Sequence, residues 1–176
     1  MIWDWIRLSS MSKNSDKLEK TLVMKILDRE HISYTSMEYD VSDENYDGNL
    51  IAAKTGINPN QMFKTLVMTS NHKLFVFCIP VNQEVDLKKA AKAVGEKSVE
   101  MVHVKDLCSL TGYVRGGCSP IGMKKQSPTT FHQTLCDFET VYVSAGKRGV
   151  QIGLKPQDLI KVVNGKTADI IAVHSI

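Results

Sequence analysis

Residues 74–81, Leu-Phe-Val-Phe-Cys-Ile-Pro-Val, form a near-continuous apolar run with no polar alternation. Such a run fits a strand buried on both faces. Residues 61–69 read as a second strand, and Ser70-Asn71-His72-Lys73 as the turn between the two. With so short a connection the pair is expected to form an antiparallel hairpin.

The remaining pattern mixes further hairpins with helices that do not alternate strictly with strands. Ser15 or Asp16 is expected to cap a helix reaching Glu30, with Leu18, Leu22, Val23, Ile26 and Leu27 on one face. Residues 32–41 are rich in β-branched and aromatic side chains and read as a strand. Residues 50–55 make a short helix stopped by Gly56. Asp86 caps a helix over 87–94 with an apolar stripe of Leu87, Ala90, Ala91 and Val94, while Lys88, Lys89 and Lys92 face outward. That lysine face is either solvated surface or a contact for a nucleic-acid backbone. Short strands follow at 99–103 and 129–131, with a helical turn at 105–110 between them. Residues 140–144 and 150–154 flank a turn and read as a second hairpin. Pro156 opens a last helix with Leu159, Ile160 and Val163 inward, Gly165 stops it, and 168–173 is expected to close the sheet. The expected class is α+β, with a largely antiparallel or mixed sheet.

A chain of 176 residues with 43% apolar composition is sufficient for one domain, placed at residues 15–176. Residues 1–14 read as an N-terminal extension, in which Trp3 and Trp5 either dock on the body or contact a partner. Asp4 and Arg7 interrupt the first ten residues too early for a secretory signal, and no apolar run reaches membrane-spanning length. A soluble, cytoplasmic protein with no membrane partner is expected. Lys and Arg number 22 against 19 Asp and Glu, so any nucleic-acid footprint must be a local patch. Cys78, Cys108, Cys118 and Cys136 include no Cys-x-x-Cys pair and no His at zinc-ligand spacing. They are expected as free thiols, with no metal and no cofactor. Cys118 is either a nucleophile or a small buried hydrophobe.

Residues 111–125, Thr-Gly-Tyr-Val-Arg-Gly-Gly-Cys-Ser-Pro-Ile-Gly-Met-Lys-Lys, carry a short β-like run into a loop too rich in Gly and Pro to continue as a strand. Unpaired amides there, with Arg115, Lys124 and Lys125, suit a phosphate, a carboxylate or a polarised carbonyl oxygen. A tight turn with solvated lysines is the alternative. Two further segments accompany it: Met62-Phe-Lys-Thr-Leu-Val-Met68 opens a strand with a lysine at its start, and Ser144-Ala-Gly-Lys-Arg-Gly149 closes another with a basic, Gly-rich turn. In this order and spacing the three resemble the YbaK/EbsC family of aminoacyl-tRNA deacylases, relatives of the editing domain of prolyl-tRNA synthetases.

The resemblance spans residues 22–171 and implies a small mixed barrel wrapped by helices. It also implies that Lys64 is the residue tied to activity, positioning the ester or the 3′-terminal nucleotide and stabilising the oxyanion. Gly116, Gly117 and Ser119 would bound the aminoacyl pocket, with Thr65 and Ser144 offering hydroxyls. Tyr39 and Tyr46 match aromatic positions near the substrate, with core packing as the other reading. Gln151 stands where the family's cysteine deacylases carry Asp, keeping hydrogen bonding without the charge.

The implied substrate and partner is aminoacyl-tRNA, namely mischarged tRNA(Pro) carrying cysteine, with prolyl-tRNA synthetase as a further partner. The substrate's own thiol would attack its ester. This suits a chain lacking a Gly-x-Ser-x-Gly elbow or His-Glu-x-x-His, with five scattered histidines. A deacylase for alanine or another small residue, and a tRNA-binding module without catalysis, are the alternatives.

Overall fold

The computed structural model describes residues 19–174. The expected caps Ser15 and Asp16, Leu18 and the extension at 1–14 therefore lie outside the described residues. In chain order the elements are α1 (Leu22–Arg29), β1 (Thr35–Glu38), α2 (Gly48–Thr55), β2 (Phe63–Ser70), β3 (Lys73–Pro80), α3 (Leu87–Ala93), β4 (Glu100–Met101) and α4 (Val104–Thr111). Then come β5 (Thr129–His132), a 3-10 turn (Gln133–Asp137), β6 (Val141–Ser144), β7 (Val150–Leu154), α5 (Pro156–Val162) and β8 (Lys166–Ala168).

The β2–β3 hairpin forms with Phe63 opposite Pro80 and Ser70 opposite Lys73. Its turn places Asn71 and His72 at φ 49° and 63°, the left-handed pair whose twist matches the flanking strands. As the apolar run requires, β3 is buried on both faces. Phe75, Phe77 and Ile79 pack with Met68 against Ala90 and Ala91 of α3. Val76 and Cys78 point the other way, into a larger cluster with Val23 and Leu27 of α1, Phe131, Val143 and Ile152.

Two sheets result, β4-β2-β3-β5-β8 and β1-β7-β6. The first is mixed, because β5 runs parallel to both β3 and β8. The second is antiparallel. They meet at a parallel bridge between Met62 and Tyr142, where the Tyr142 amide donates to the Gln61 carbonyl at 2.9 Å. No ladder continues from that bridge among the described residues. The α+β class stands, but the expected barrel is two sheets sharing a core and not a closed cylinder.

Several elements differ from expectation for local reasons. Helix α1 is capped at Thr21, whose Oγ1 accepts from the Met24 amide, and Leu22 is 57% exposed instead of facing the core. The strand expected at 32–41 is only β1, an edge strand paired to β7. Residues 113–115 form no strand, since Gly112 at φ 85° ends α4 and the chain stays irregular to Pro128. The closing strand comes earlier than 168–173, because Asn164 at φ 51° reverses the chain directly after α5. Lys89 does not face outward: its Nζ donates to Asp169 Oδ2 at 2.9 Å and to the Ile171 carbonyl at 3.0 Å, tying α3 to the chain after β8. No helix among the described residues is long and apolar enough to cross a membrane.

Candidate active site at the seam of the sheets

Where β2 begins, beside the bridge between the sheets, lies a cavity of about 140 Å³. Lys64 and Thr65 of β2, Ser144 of β6, Gln151 of β7, Gly116 and Tyr46 all line it. Six of the nine sequence-expected site residues, from five separate segments, thus line one cavity. Met62, Phe63, Ile51 and Val81 supply apolar lining.

Lys64 stands opposite Ile79 in the hairpin register. Burial pulls its ammonium below the ordinary lysine value of 10.5, while Asp47 and Glu84 pull in the opposite direction. No carboxylate lies within ion-pair distance of Lys64 among the described residues. Its charge is therefore held at the cavity without being neutralised by contact. Asp47 also caps α2, accepting from the Leu50 amide at 3.1 Å.

Gln151 and Ser144 are cross-strand partners. Gln151 is only 5% exposed, and its Oε1 is buried without a hydrogen-bond partner. An orphaned buried acceptor costs stability unless something completes it. Ser144 Oγ accepts from the Gly146 amide at 3.2 Å, fixing the basic turn, and Thr65 Oγ1 lies 3.7 Å from Cys78 Sγ. Burial pushes the thiols of Cys78 and Cys118 up to about 12. Although Cys118 touches the cavity, a thiol held neutral in this way is a poor nucleophile.

The Gly-rich loop is shaped by packing. Gly116 sits at φ 87°, and a Cβ there would meet the Tyr46 ring at 2.6 Å. Gly117 is buried away from the cavity wall; its amide donates to the Val114 carbonyl, and a Cβ would lie 3.0 Å from the Arg148 amide nitrogen. The amide expected to be left over for a ligand is thus used by a turn. Ser119 is fully buried off that wall, its Oγ accepting from the Ile121 amide at 3.3 Å. Tyr39 packs with Ile51, Ile57 and Met62 in a third cluster, its hydroxyl buried without a partner. Sequence reasoning missed Tyr113, whose hydroxyl donates to the Ile121 carbonyl and closes the loop, and Asp47, which only the folded geometry places near Lys64.

A larger cavity of about 760 Å³ lies at the other end of β2, lined among others by Thr69, Lys73, Lys124 and Lys125. None of the residues matched to the family's site reaches it, although Lys124 and Lys125, expected as anion-binding charges beside the Gly-rich loop, do. Among the described residues no group of three His, Cys, Asp or Glu side chains is placed to hold a metal ion.

Residues 49–162 match the family described as the aminoacyl-tRNA editing domain. EbsC of Enterococcus faecalis, named as a candidate Cys-tRNA(Pro)/Cys-tRNA(Cys) deacylase, is 45% identical over 153 residues, covering 86% of this chain and 93% of its own. The chain belongs to the aminoacyl-tRNA editing domain family. YwhH of Bacillus subtilis, a protein with no role in its name, is a more distant relative at 24% identity over 74% of this chain and 85% of its own. Among solved structures, a candidate trans-editing enzyme for prolyl-tRNA synthetase superposes with a TM-score of 0.73 at 21% identity, covering 86% of this chain and 95% of that one. Hypothetical protein APE2540 superposes with a TM-score of 0.77 at 18% identity, covering 85% and 99%. At these identities the structural matches establish the editing-domain fold.

Proposed function

We propose that this editing domain is a trans-acting deacylase that clears mischarged tRNA(Pro), with Cys-tRNA(Pro) as its substrate. The observation that carries the reading is Lys64: a desolvated, unpaired ammonium at a cavity of about 140 Å³. That volume is below the roughly 300–1,000 Å³ of ordinary ligand pockets, so it suits one small aminoacyl group. The kinship with EbsC, whose name specifies cysteinyl esters, supports the amino acid.

In this mechanism the substrate's thiol sulfur attacks its own ester carbonyl. The S–C bond forms, negative charge gathers on the carbonyl oxygen, and the C–O bond to the ribose breaks as the thiol proton passes to the ribose oxygen. The cyclic thioester then hydrolyses to free cysteine. Lys64 stabilises the oxyanion from a fixed position, and Gln151 Oε1 accepts from the substrate's ammonium. No protein nucleophile is required, which fits the neutral thiols of Cys78 and Cys118.

Release of amino acid from Cys-tRNA(Pro), Ala-tRNA(Pro) and Pro-tRNA(Pro) by wild type and Lys64→Ala tests this. Loss of the cysteinyl ester alone, dependent on Lys64, is the expected result. Full activity of Lys64→Ala would remove Lys64 from the mechanism. The neutral Gln151 amide favours one second reading, a deacylase for alanine, which the same three esters separate. We further propose that selection of tRNA(Pro) comes from association with prolyl-tRNA synthetase in the cytoplasm, and that residues 15–176 act as one editing domain. Co-sedimentation with the synthetase tests the association.

A further inference from the structure

The rim of the cavity carries a second constellation. The Arg148 guanidinium carbon lies 4.3 Å from the centroid of the Tyr46 ring, and Arg148 Nε donates to the Arg115 carbonyl at 2.8 Å. Tyr46 is itself seated against Gly116. The guanidinium is thereby held over the ring by one stack and one hydrogen bond, although Arg148 is exposed. Arg115 and Lys147 are exposed beside it, and none of the three has a carboxylate within ion-pair distance among the described residues. The stack and hydrogen bond fix the guanidinium plane in advance, so a ligand stacking on it meets a preordered surface. A planar cation held over an aromatic ring, with further unpaired charge nearby, is a ready platform for a nucleobase and its phosphate.

The size of the cavity makes the same demand, on the aminoacyl-tRNA reading proposed above. About 140 Å³ admits the aminoacyl group but not the nucleoside to which it is esterified. The nucleoside must then lie on the rim, which Tyr46 and Gly116 share with the cavity wall. We propose that Arg148, held over Tyr46, is the stacking platform for the 3′-terminal adenine of the tRNA, with Arg115 and Lys147 taking the adjoining phosphodiester. The base adds one layer to the Tyr46–Arg148 stack, and its ribose ester points inward to Lys64.

The test uses uncharged RNA stem-loops ending in CCA or in CC, with binding followed by fluorescence anisotropy for the full chain, Arg148→Lys and Arg148→Ala. Wild type is expected to prefer the CCA end by about tenfold, within the range of one base–aromatic or base–arginine stack. Arg148→Lys keeps the charge and the dependence on salt but should lose the preference to within about twofold. On charged tRNA the same variant should raise KM and leave kcat nearly unchanged, with an unaltered melting temperature as the check on folding. Equal binding of the two RNAs by wild type, or a preference retained by Arg148→Lys, overturns the platform. Ester cleavage without any preference for the CCA end overturns the platform and leaves the deacylase standing. A preference for the CCA end lost in Arg148→Lys, without ester cleavage by wild type, supports the platform and defeats the deacylase.

Discussion

The two ends of β2 make an instructive pair. At one end Lys64 lines a cavity of about 140 Å³, half-buried, with its ammonium pulled below the usual lysine value. At the other end Lys73 borders about 760 Å³, but its side chain is 70% exposed and lies 3.7 Å from Glu96. The same residue type on the same hairpin is a solvated surface charge in one place and a preorganised cation in the other. The difference is desolvation, not room: a charge stabilises a developing oxyanion strongly only where water does not screen it.

Exchanging the roles of the two lysines is the most severe test. Lys64→Ala is expected to lower kcat/KM for Cys-tRNA(Pro) by about 10²–10³-fold, the usual cost of losing one oxyanion donor. Lys73→Ala should change it by no more than about twofold. The reverse ranking would move the site to the larger cavity.

Closing the small cavity comes next. Gly116→Val places a branched side chain at φ 87° and against the Tyr46 ring. Strain of this kind costs about 1–3 kcal/mol, so denaturant titration should show that loss together with roughly tenfold lower kcat/KM. A variant of full activity would mean that this wall is not part of the site.

The electrostatic contrast can be sharpened without changing shape. Asp47→Asn keeps an N-cap residue but removes an anion that favours the charged form of Lys64. The alkaline fall in kcat/KM, expected below pH 10.5 in wild type, should move to lower pH in this variant, measured after subtracting spontaneous ester hydrolysis. An unmoved profile would show that Lys64 is not the group titrating.

The smallest effect separates fold from site. Burial holds His132 below 6.5, against Asp169 and Asp137 and in the same direction as Lys89, and its Nδ1 accepts from the Ile170 amide at 3.3 Å. Between its lowered value and 6.5 the unfolded chain binds more protons than the folded one. Stability therefore falls as pH drops below 6.5, and levels off below the folded value. Melting temperatures across this range should lose part of their slope in His132→Gln.

Legibility in the sequence followed the range of the interactions. The β2–β3 hairpin could be read because its signals are local: an apolar run, a four-residue turn and a second run. The helix over 87–94 was readable from its cap and from Ala90 and Ala91, yet Leu87, placed on the stripe, is 48% exposed, and Lys89 was misjudged because its partners Asp169 and Ile171 lie far along the chain. In the site, Lys64, Thr65, Gly116 and Ser144 stood out through three ordered motifs that resemble a family, and Gln151 as a departure just after the third, not through any local catalytic pattern. Ser119 was read as a pocket residue because it sits among those glycines, but its hydroxyl is turned into a buried local bond. Arg148 passed as an ordinary basic turn, since nothing near it in sequence announces the ring of Tyr46.

By itself, the sequence determined a hairpin with two buried faces, a second hairpin ending in a basic turn, and the α+β class that must cover them. Periodicity and turn chemistry act between near neighbours, so they survive in a one-dimensional reading. Only the tertiary structure decided that the seam between two open sheets encloses a small cavity, that Lys64 loses water there, and that Arg148 comes to rest over Tyr46. Desolvation and stacking belong to enclosed space, and that space exists only once segments distant in the chain have packed together.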